Sequence, residues 1–257
     1  MSVPRALIFA LFGLVFGSFL SVVVYRVPRK QSIVAPRSAC PACGAEIRPR
    51  DNIPVLSYLI LRGRCRACGA RISPRYLFLE VATAALFVGA SLRFHPAYKA
   101  GILALFFAVM LAVAVIDLER RIVPNRIVYP SLVAFAVLVA IGALIRGHLS
   151  LAGAGLGFLA YGGGVGLISF FIPQGMGMGD AKLAALIGLV LGALGLRYVA
   201  IAAALAIFAG GIAGIALMIF AGASRKTKIP FGPYLAAGGV MAAFLAPRIA
   251  AWYTLRG

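Results

Sequence analysis

Two aspartates at the ends of uncharged, apolar runs are the residues of this sequence best suited to chemistry. Asp180 follows Gly177 and Gly179 in a G-M-G-D motif that opens one apolar run, and Asp117 directly follows another, residues 100–116. The chain has only six acidic residues in 257, and a carboxylate at the edge of a hydrophobic helix is costly, which indicates a functional role. Two carboxylates within a few ångströms share one proton, so one can activate a water while the other polarises a carbonyl. The sequence therefore predicts aspartyl chemistry.

We interpret Gly177 and Gly179 as an active-site loop. Glycine has no Cβ and reaches positive φ freely, which leaves room for another backbone, such as a substrate peptide, to approach the aspartate. The alternative is that Asp180 only caps a helix N-terminus beside the positive end of its dipole. The second aspartate, Asp117, favours the catalytic interpretation. Glu119 competes for that role, but it stands beside two arginines and is interpreted as a member of a surface ion pair.

The composition indicates a polytopic membrane protein. Hydrophobic residues make up 63% of the chain and charged residues only 12%, far from the usual soluble composition. A membrane-spanning helix needs about 17 to 25 apolar residues, so the runs predict an all-α protein with about eight transmembrane helices. Two of these runs are too short alone and need flanking residues to span the membrane. The uncharged runs are residues 6–25, 81–92, 100–116, 127–145, 149–179, 183–196, 198–224 and 229–247.

Lysines and arginines determine the predicted orientation. With eight spans, most of the 25 Lys and Arg residues fall in loops on one face, and the positive-inside rule places that face in the cytoplasm and both termini on the outer side. We assign the net charge of +19 to topology and anionic lipid contacts, not to nucleic-acid binding, because no basic cluster is interleaved with a nucleic-acid fold. The predicted cytoplasmic loops are residues 26–75, 117–126, 171–182 and 221–228.

All four cysteines lie in residues 29–75, the one predicted soluble segment of domain-like length. They form two C-x-x-C-G knuckles, Cys40 with Cys43 and Cys65 with Cys68, a pattern typical of tetrahedral zinc sites. Disulfides are the alternative, but the predicted cytoplasmic location is reducing. Four protein ligands complete the coordination sphere, so the zinc is predicted to be structural. It is expected to stabilise a loop that is too small to bury a hydrophobic core of its own.

Two further charged residues lie close to these motifs. Glu80, near the cytoplasmic end of the second predicted helix, is expected to pair with one of the nearby arginines, although a role in the active site stays open. Lys182 follows Asp180 by two residues, and such side chains point apart on a helix. Lys182 is therefore expected to reach the membrane interface and not to neutralise the aspartate.

Taken together, the motifs resemble the type IV prepilin peptidase family, which comprises the bifunctional leader peptidases and N-methyltransferases of pilus and type II secretion systems and uses GxGD-type intramembrane aspartyl protease chemistry. The resemblance extends over nearly the whole chain. The matching motifs are G-S-F-L at 17–20, the two C-x-x-C pairs, N-I-P-V-L-S-Y at 52–58, L-R-G-R-C at 61–65, Asp117 with I-V-P-N at 122–125, M-G-M-G-D-A-K at 176–182 and P-F-G-P-Y-L-A at 230–236.

The resemblance implies that Asp117 and Asp180 are the catalytic pair. It implies that the substrates are prepilins or pseudopilins with a short basic leader ending in glycine, and that S-adenosylmethionine then methylates the new N-terminus. Gly63 is the position carried over for methyl transfer. The implied location is the bacterial inner membrane, and the oligomeric state stays open. The implied domains are a first helix over 1–28, a zinc loop with the methyltransferase part over 29–75, and a seven-helix peptidase domain over 76–257.

Two other classes of protein stay open from the residues alone. In an ion-coupled transporter, Asp117 and Asp180 would form a proton relay, although the internal inverted repeats that favour a transporter are not found. In a non-enzymatic assembly scaffold, the zinc loop would recruit partners and the aspartates would be structural. Replacement of either aspartate by asparagine distinguishes an enzyme from both alternatives.

Overall fold

The computed structural model describes residues 3–146, 148–171, 176–221 and 230–254. Every named element in these ranges is helical, which confirms the all-α prediction. A π-helical turn, Phe158–Gly162, joins α6 to α7. The α-helices of the described ranges are α1 (Val3–Arg26), α2 (Leu56–Ile60), α3 (Pro74–Arg93), α4 (Ala97–Arg120), α5 (Asn125–Arg146), α6 (Leu151–Gly157), α7 (Gly163–Phe171), α8 (Met178–Gly192), α9 (Leu196–Ala221) and α10 (Gly232–Thr254).

Six helical segments of the described chain are long and apolar enough to cross a membrane. They confirm a polytopic membrane protein, but the predicted count of about eight spans is not confirmed. Helix α8 coincides with one of the two remaining predicted spans but has 15 residues, fewer than the roughly 17 that a span needs. Helix α10 coincides with the other. The six segments are Val3–Arg29, Pro74–Arg93, Ala97–Arg120, Asn125–Ile145, Leu151–Phe171 and Leu196–Phe220.

The predicted cytoplasmic loops are only partly covered by the structure. Residues 172–175 of one loop and 222–228 of another lie outside the described residues. Asp117 and the G-M-G-D motif lie inside them, so all residues that are expected to form the active site are described.

Residues Met1–Ala112 form one compact unit, in which α1 packs against α3. Two glycines on one face of α1 make this approach possible. A Cβ on Gly13 would lie 2.6 Å from the Cα of Ala84, and a Cβ on Gly17 would lie 2.6 Å from the Cα of Glu80. Small residues let helix backbones touch in lipid, where close packing supplies much of the attraction between helices. The first turns of α3 are thereby held directly against α1.

The loop between α1 and α3 belongs to the same unit and is folded around its two knuckles. Two isolated antiparallel bridges, Ala39 with Glu46 and Arg64 with Arg71, close the two cysteine turns. In each turn the N–H of the first cysteine donates to the carbonyl five residues further on, at 2.9 Å and 2.8 Å. The short helix α2 lies between the two turns in sequence. The two knuckles are therefore copies of one backbone motif.

Residues Val113–Gly257 form the second unit, and α8 is largely buried within it. Leu183 and Leu186 on α8 are fully buried, and α8 contacts α5, α6, α7, α9 and α10. Glycines allow the closest of these contacts, because the backbone of Gly188 lies directly against that of Gly157 on α6. A helix surrounded by protein in this way can be short and carry a carboxylate at its start, since lipid does not surround it.

Candidate active site and metal centre

Asp117 lies in the last turn of α4 with only 4% of its surface exposed. Its Oδ2 atom accepts a hydrogen bond of 3.0 Å from the backbone N–H of Gly232, the first residue of α10. A Cβ on Gly232 would lie 2.7 Å from that oxygen, closer than a side chain can approach without displacing it. Glycine is therefore what allows the backbone to reach the carboxylate. Sequence reasoning did not connect Gly232 with Asp117, because 115 residues separate them.

Asp180 lies in the first turn of α8 and is also buried, with 9% of its surface exposed. Its Oδ2 atom accepts a hydrogen bond of 3.0 Å from the N–H of Gly177, and its own N–H donates to the Gly177 carbonyl at 2.9 Å. The Ser169 hydroxyl donates to the same carbonyl at 3.2 Å. Asp180 therefore does cap its helix, as the alternative interpretation expected. The cap occupies one carboxylate oxygen and leaves the other available.

Asp117 and Asp180 both belong to the compact unit Val113–Gly257, and the segments beside them meet where Val123 contacts Gly179. Among the described residues, no second hydrogen bond reaches either carboxylate, so each aspartate is held through one oxygen by one glycine N–H. Two neighbouring carboxyl groups that share one proton can hydrolyse a peptide bond by general acid–base chemistry, because one activates a water while the other polarises the carbonyl.

Neither loop glycine uses the positive φ that glycine permits. Gly177 has an extended backbone with φ −88° and ψ 154°, and Gly179 is helical. Gly179 does allow a close approach, but the group that approaches it is a side chain of this protein and not a substrate backbone. A Cβ there would lie 3.0 Å from the Cβ of Val123, which belongs to the I-V-P-N motif after Asp117. Gly179 therefore lets the segment that follows one aspartate pack against the helix that carries the other.

Two charged residues, Lys182 and Glu119, lie close to the aspartates in sequence but do not belong to the pair. The Lys182 ammonium donates to the side-chain oxygen of Asn125 at 3.1 Å and lies 5.0 Å from the centre of the Tyr129 ring. Lys182 is thus directed at α5, in agreement with the expectation that it does not neutralise Asp180. Glu119 is exposed, whereas both aspartates are buried, so burial separates it from the catalytic candidates.

Gly232→Ala should lower the peptidase activity expected of the aspartate pair by about 10²-fold, the scale expected when a reacting group is displaced by about 1 Å. The added Cβ would occupy the space of Asp117 Oδ2. Gly164→Ala is the matched control, because a Cβ on Gly164 meets nothing within 4 Å. Initial cleavage rates of the two purified variants check this prediction. Equal rates for the two variants would mean that the contact between Gly232 and Asp117 has no catalytic importance.

The four cysteines come together as the spacing predicts. Their Sγ atoms lie within 4.8 Å of one another, and those of Cys40 and Cys68 are 3.9 Å apart. Four sulfurs at about 2.3 Å from a tetrahedral zinc are separated by about 3.8 Å, whereas a disulfide needs about 2.05 Å. None of the four forms a disulfide. Gly44 and Gly69, which follow the knuckles, have φ values of +72° and +70°, the turn that glycine supplies. The cluster therefore fits zinc and not the disulfide alternative.

Hydrogen bonds prepare this cluster for the thiolate form. The backbone N–H groups of Cys43 and Ala42 lower the pKa of the Cys40 thiol to about 7. At Cys68 the backbone N–H of Ala70 acts in the same direction, but the three neighbouring thiols raise the pKa to about 11. The opposite shifts at Cys40 and Cys68 show that neighbouring thiols in the cluster oppose one another's ionisation, and a bound cation relieves this because the thiolate is the species that binds a metal ion.

One zinc ion per chain should bind to this cluster, with Zn–S distances of about 2.3 Å. Elemental analysis and X-ray absorption spectroscopy of the purified protein check the content and the distances. Cys68→Ser should lose the metal because it removes one thiolate, whereas Ser38→Ala, in the same loop, should retain it. A metal-free protein with normal activity, or sulfurs oxidised to disulfides, would contradict the prediction.

Gly63 lies in the same loop, just before the second knuckle. Its φ is +65°, and a Cβ on it would lie 3.0 Å from the hydroxyl oxygen of Tyr58. Its N–H donates to the Tyr58 carbonyl at 2.9 Å, and its carbonyl accepts the N–H of Ile72 at 2.7 Å. Conformation and space therefore both require glycine here. An open cavity of about 380 Å³ lies beside it, with Tyr58 and Gly63 in its lining.

Within the described part of the chain, Glu80 forms no ion pair with an arginine, contrary to the sequence-based expectation. It is buried, with 8% of its surface exposed, and its Oε2 atom accepts the backbone N–H of Val55 at 2.7 Å. Val55 has a φ of +63°, a rare conformation for a β-branched residue. Next to it, the Ser57 hydroxyl accepts the N–H of Ile53 at 2.9 Å. A carboxylate of α3 thus anchors the N-I-P-V-L-S-Y motif, which carries Tyr58 at its end.

The fold and the site together define a helical membrane protein with two buried aspartates and a four-cysteine cluster that fits a metal ion, and the comparisons with known proteins give its family. Residues 11–94 match the family described as the Bacterial Peptidase A24 N-terminal domain, and residues 104–219 match the Type IV leader peptidase family. The chain belongs to the type IV leader peptidase family, which confirms the resemblance found in the sequence. Because this family is one of peptidases, the transporter and scaffold interpretations are set aside.

Several relatives of the chain are named prepilin leader peptidase/N-methyltransferase. The prepilin leader peptidase/N-methyltransferase of Bacillus subtilis is 35% identical over 243 residues, which are 95% of this chain and 95% of the relative. The protein of that name from Pseudomonas aeruginosa is 35% identical over 267 residues, or 95% of this chain and 91% of the relative. The one from Burkholderia pseudomallei is 35% identical over 261 residues, or 90% and 82%. No solved structure shows significant similarity to the chain.

Proposed function

We propose that this protein cleaves the leader peptide from prepilins or pseudopilins at the cytoplasmic face of the inner membrane, and then methylates the new N-terminus. The observation that carries the peptidase half is the pair of buried aspartates, each held by a single glycine N–H through one oxygen. The family membership and the names of the relatives support the choice of substrate.

In the proposed cleavage step, one aspartate is ionised and the other is protonated. The ionised carboxylate takes a proton from a water, whose oxygen attacks the carbonyl carbon of the leader's last residue. The protonated carboxyl donates its hydrogen bond to that carbonyl oxygen, and a proton then passes to the departing amine as the C–N bond breaks. The N–H groups of Gly177 and Gly232 keep each carboxylate fixed through its Oδ2 atom. The Oδ1 atom of each carboxylate accepts no hydrogen bond from the described residues and is the atom assigned to the reaction.

Methyl transfer is assigned to the loop over 29–75. S-adenosylmethionine supplies the methyl group, which moves to the freed amine as a new N–C bond forms, the C–S bond breaks and the amine loses a proton. The cavity beside Gly63 has the room for part of such a donor, and Gly63 and Tyr58 are placed to contact it. The zinc has no reacting role here, because four cysteines complete its coordination. It fixes the loop that forms the cavity.

The basic residues support the proposed orientation. The loop with the knuckles is rich in arginine and is placed in the cytoplasm by the positive-inside rule. With an even number of spans, both termini lie on the outer side of the membrane. The active-site aspartates at the end of α4 and the start of α8 then lie at the cytoplasmic edge, where the basic leader of a substrate is found.

An incubation of the purified protein with a prepilin, followed by mass spectrometry, tests this proposal. Leader loss should occur with or without S-adenosylmethionine, and addition of one methyl group should require both leader loss and the donor. An intact prepilin after prolonged incubation with well-folded protein would reject the peptidase half. Cleaved but unmethylated pilin in the presence of the donor would reject the methyltransferase half alone.

A further inference from the structure

The cavity beside Gly63 is surrounded by positive charge. Its volume is about 380 Å³, and three of the residues that line it are arginines, Arg62, Arg64 and Arg71. Tyr58 supplies an aromatic wall, and Ser73, at the start of α3, adds a hydroxyl. Most small-ligand sites have a mainly apolar lining, so the basic lining of this open cavity favours an anionic group as its ligand.

No carboxylate of the same unit is left to neutralise these arginines. The unit Met1–Ala112 has three acidic residues, and the described structure gives each of them another partner. Arg62, Arg64 and Arg71 therefore form no ion pair with an acid of this unit in its described part. The three acidic groups are bonded as follows: Glu46 with Arg37 at 2.8 Å, Asp51 with Arg66 at 2.7 Å, and Glu80 with the Val55 N–H at 2.7 Å.

The wall of the cavity is held in an unusual and rigid conformation. Arg62 and Gly63 are consecutive residues with φ values of +50° and +65°, a region that arginine rarely adopts. Backbone hydrogen bonds fix this turn, because Gly63 donates to the Tyr58 carbonyl and accepts from Ile72. Strained backbone of this kind is typically found at functional sites, where the surrounding structure maintains it.

We propose that this arginine-lined cavity binds a carboxylate, namely that of the amino-acid end of the methyl donor, an inference that rests on the proposed methyltransferase function. Guanidinium groups recognise carboxylates through paired hydrogen bonds. The sulfonium of the donor is positively charged and is repelled by the arginines, so it lies away from them and toward the Tyr58 ring, which attracts cations. The phosphate of an anionic lipid is the other oxyanion within reach of this face, and the experiment distinguishes the two.

Binding of two donors to three variants of the full-length protein in nanodiscs provides the test. The probes are S-adenosylmethionine and its decarboxylated analogue, measured by equilibrium dialysis. Arg71→Gln and Arg62→Gln should each weaken binding of S-adenosylmethionine by about 10-fold or more, since a hydrogen bond to a charged group is lost. Arg37→Gln is the matched control, because its guanidinium is engaged by Glu46 outside the cavity, and its affinity should equal that of the wild type.

The analogue provides the decisive comparison. The wild-type protein should bind it more weakly than S-adenosylmethionine, and Arg71→Gln should cause no further loss, because the group that Arg71 recognises is already missing. Unchanged affinity in both arginine variants, or an equal loss for the two donors, would overturn the proposal. Weaker binding to vesicles with phosphatidylglycerol, with donor affinity unchanged, would assign the cavity to lipid phosphate instead.

These outcomes also separate this inference from the function on which it rests. If the wild-type protein neither binds S-adenosylmethionine nor methylates a cleaved pilin, the methyltransferase assignment fails. If the wild-type protein methylates and the arginine variants bind the donor normally, only the carboxylate site fails. Zinc content of each variant shows whether the loop has kept its fold.

Discussion

Asp117→Asn and Asp180→Asn should each lower leader cleavage by about 10³-fold or more, as expected when one member of a catalytic unit is lost. Asparagine cannot be ionised and cannot carry the shared proton, so the altered pair can no longer combine water activation with proton donation to the departing group. Its amide oxygen can still accept the N–H of Gly232 or Gly177, so the hydrogen bond that holds each side chain is retained.

This prediction has a matched control in Glu119→Gln. Glu119 is exposed and lies two residues beyond Asp117 on the same helix, so its loss of charge should leave cleavage within about twofold of the wild type, the small effect typical of an exposed group. Initial rates are measured by mass spectrometry, and thermal unfolding is measured on the same samples. A near wild-type rate in either aspartate variant would reject the catalytic pair.

Gly63→Leu should reduce methylation by about 10²-fold, the effect of displacing groups that position a substrate, while cleavage changes much less. The leucine would need a positive φ that it rarely adopts, and its Cβ would meet the Tyr58 hydroxyl at 3.0 Å. Both effects deform the cavity, whereas Asp117 and Asp180 belong to the other compact unit. Methylation of a pre-cleaved pilin and cleavage of a prepilin are measured on the same preparation.

Gly44→Ala separates the two causes of this effect. Gly44 has a similar φ of +72°, but a Cβ there meets nothing within 4 Å, so the variant has the backbone strain without the collision with Tyr58. Its methylation should therefore stay much closer to the wild-type rate. Equal losses of methylation in the two variants would mean that loop strain, and not the space beside Tyr58, determines the effect. Parallel loss of cleavage and methylation in Gly63→Leu would indicate one shared site.

The sequence predicted those features that depend on local spacing or on composition. Two C-x-x-C-G turns predict a four-sulfur cluster because each turn places two thiols together, and one cluster needs only two such turns. Asp117 and Asp180 were recognisable because charge is rare beside long apolar runs. The helices followed from the same runs, although hydropathy could not decide whether the buried helix α8 spans the membrane by itself.

The sequence could not predict the hydrogen bonds that join distant segments. The N–H of Gly232 reaches Asp117, and the N–H of Val55 reaches Glu80, and neither contact leaves a periodic or spaced signal. Gly177 is a third case, because it does not use the positive φ that glycine permits. Its N–H instead donates to the Asp180 carboxylate.

The central claim is that cleavage uses the two aspartates and methylation uses the loop over 29–75. Methylation of a pre-cleaved pilin by the Asp180→Asn variant tests this claim most directly. The variant, purified in folded form, receives S-adenosylmethionine with either a full-length prepilin or the cleaved pilin, and mass spectrometry follows both substrates. We expect no leader loss from the prepilin and normal addition of one methyl group to the cleaved pilin. Loss of methylation together with cleavage, in a variant that is folded and binds zinc, would contradict two separate sites.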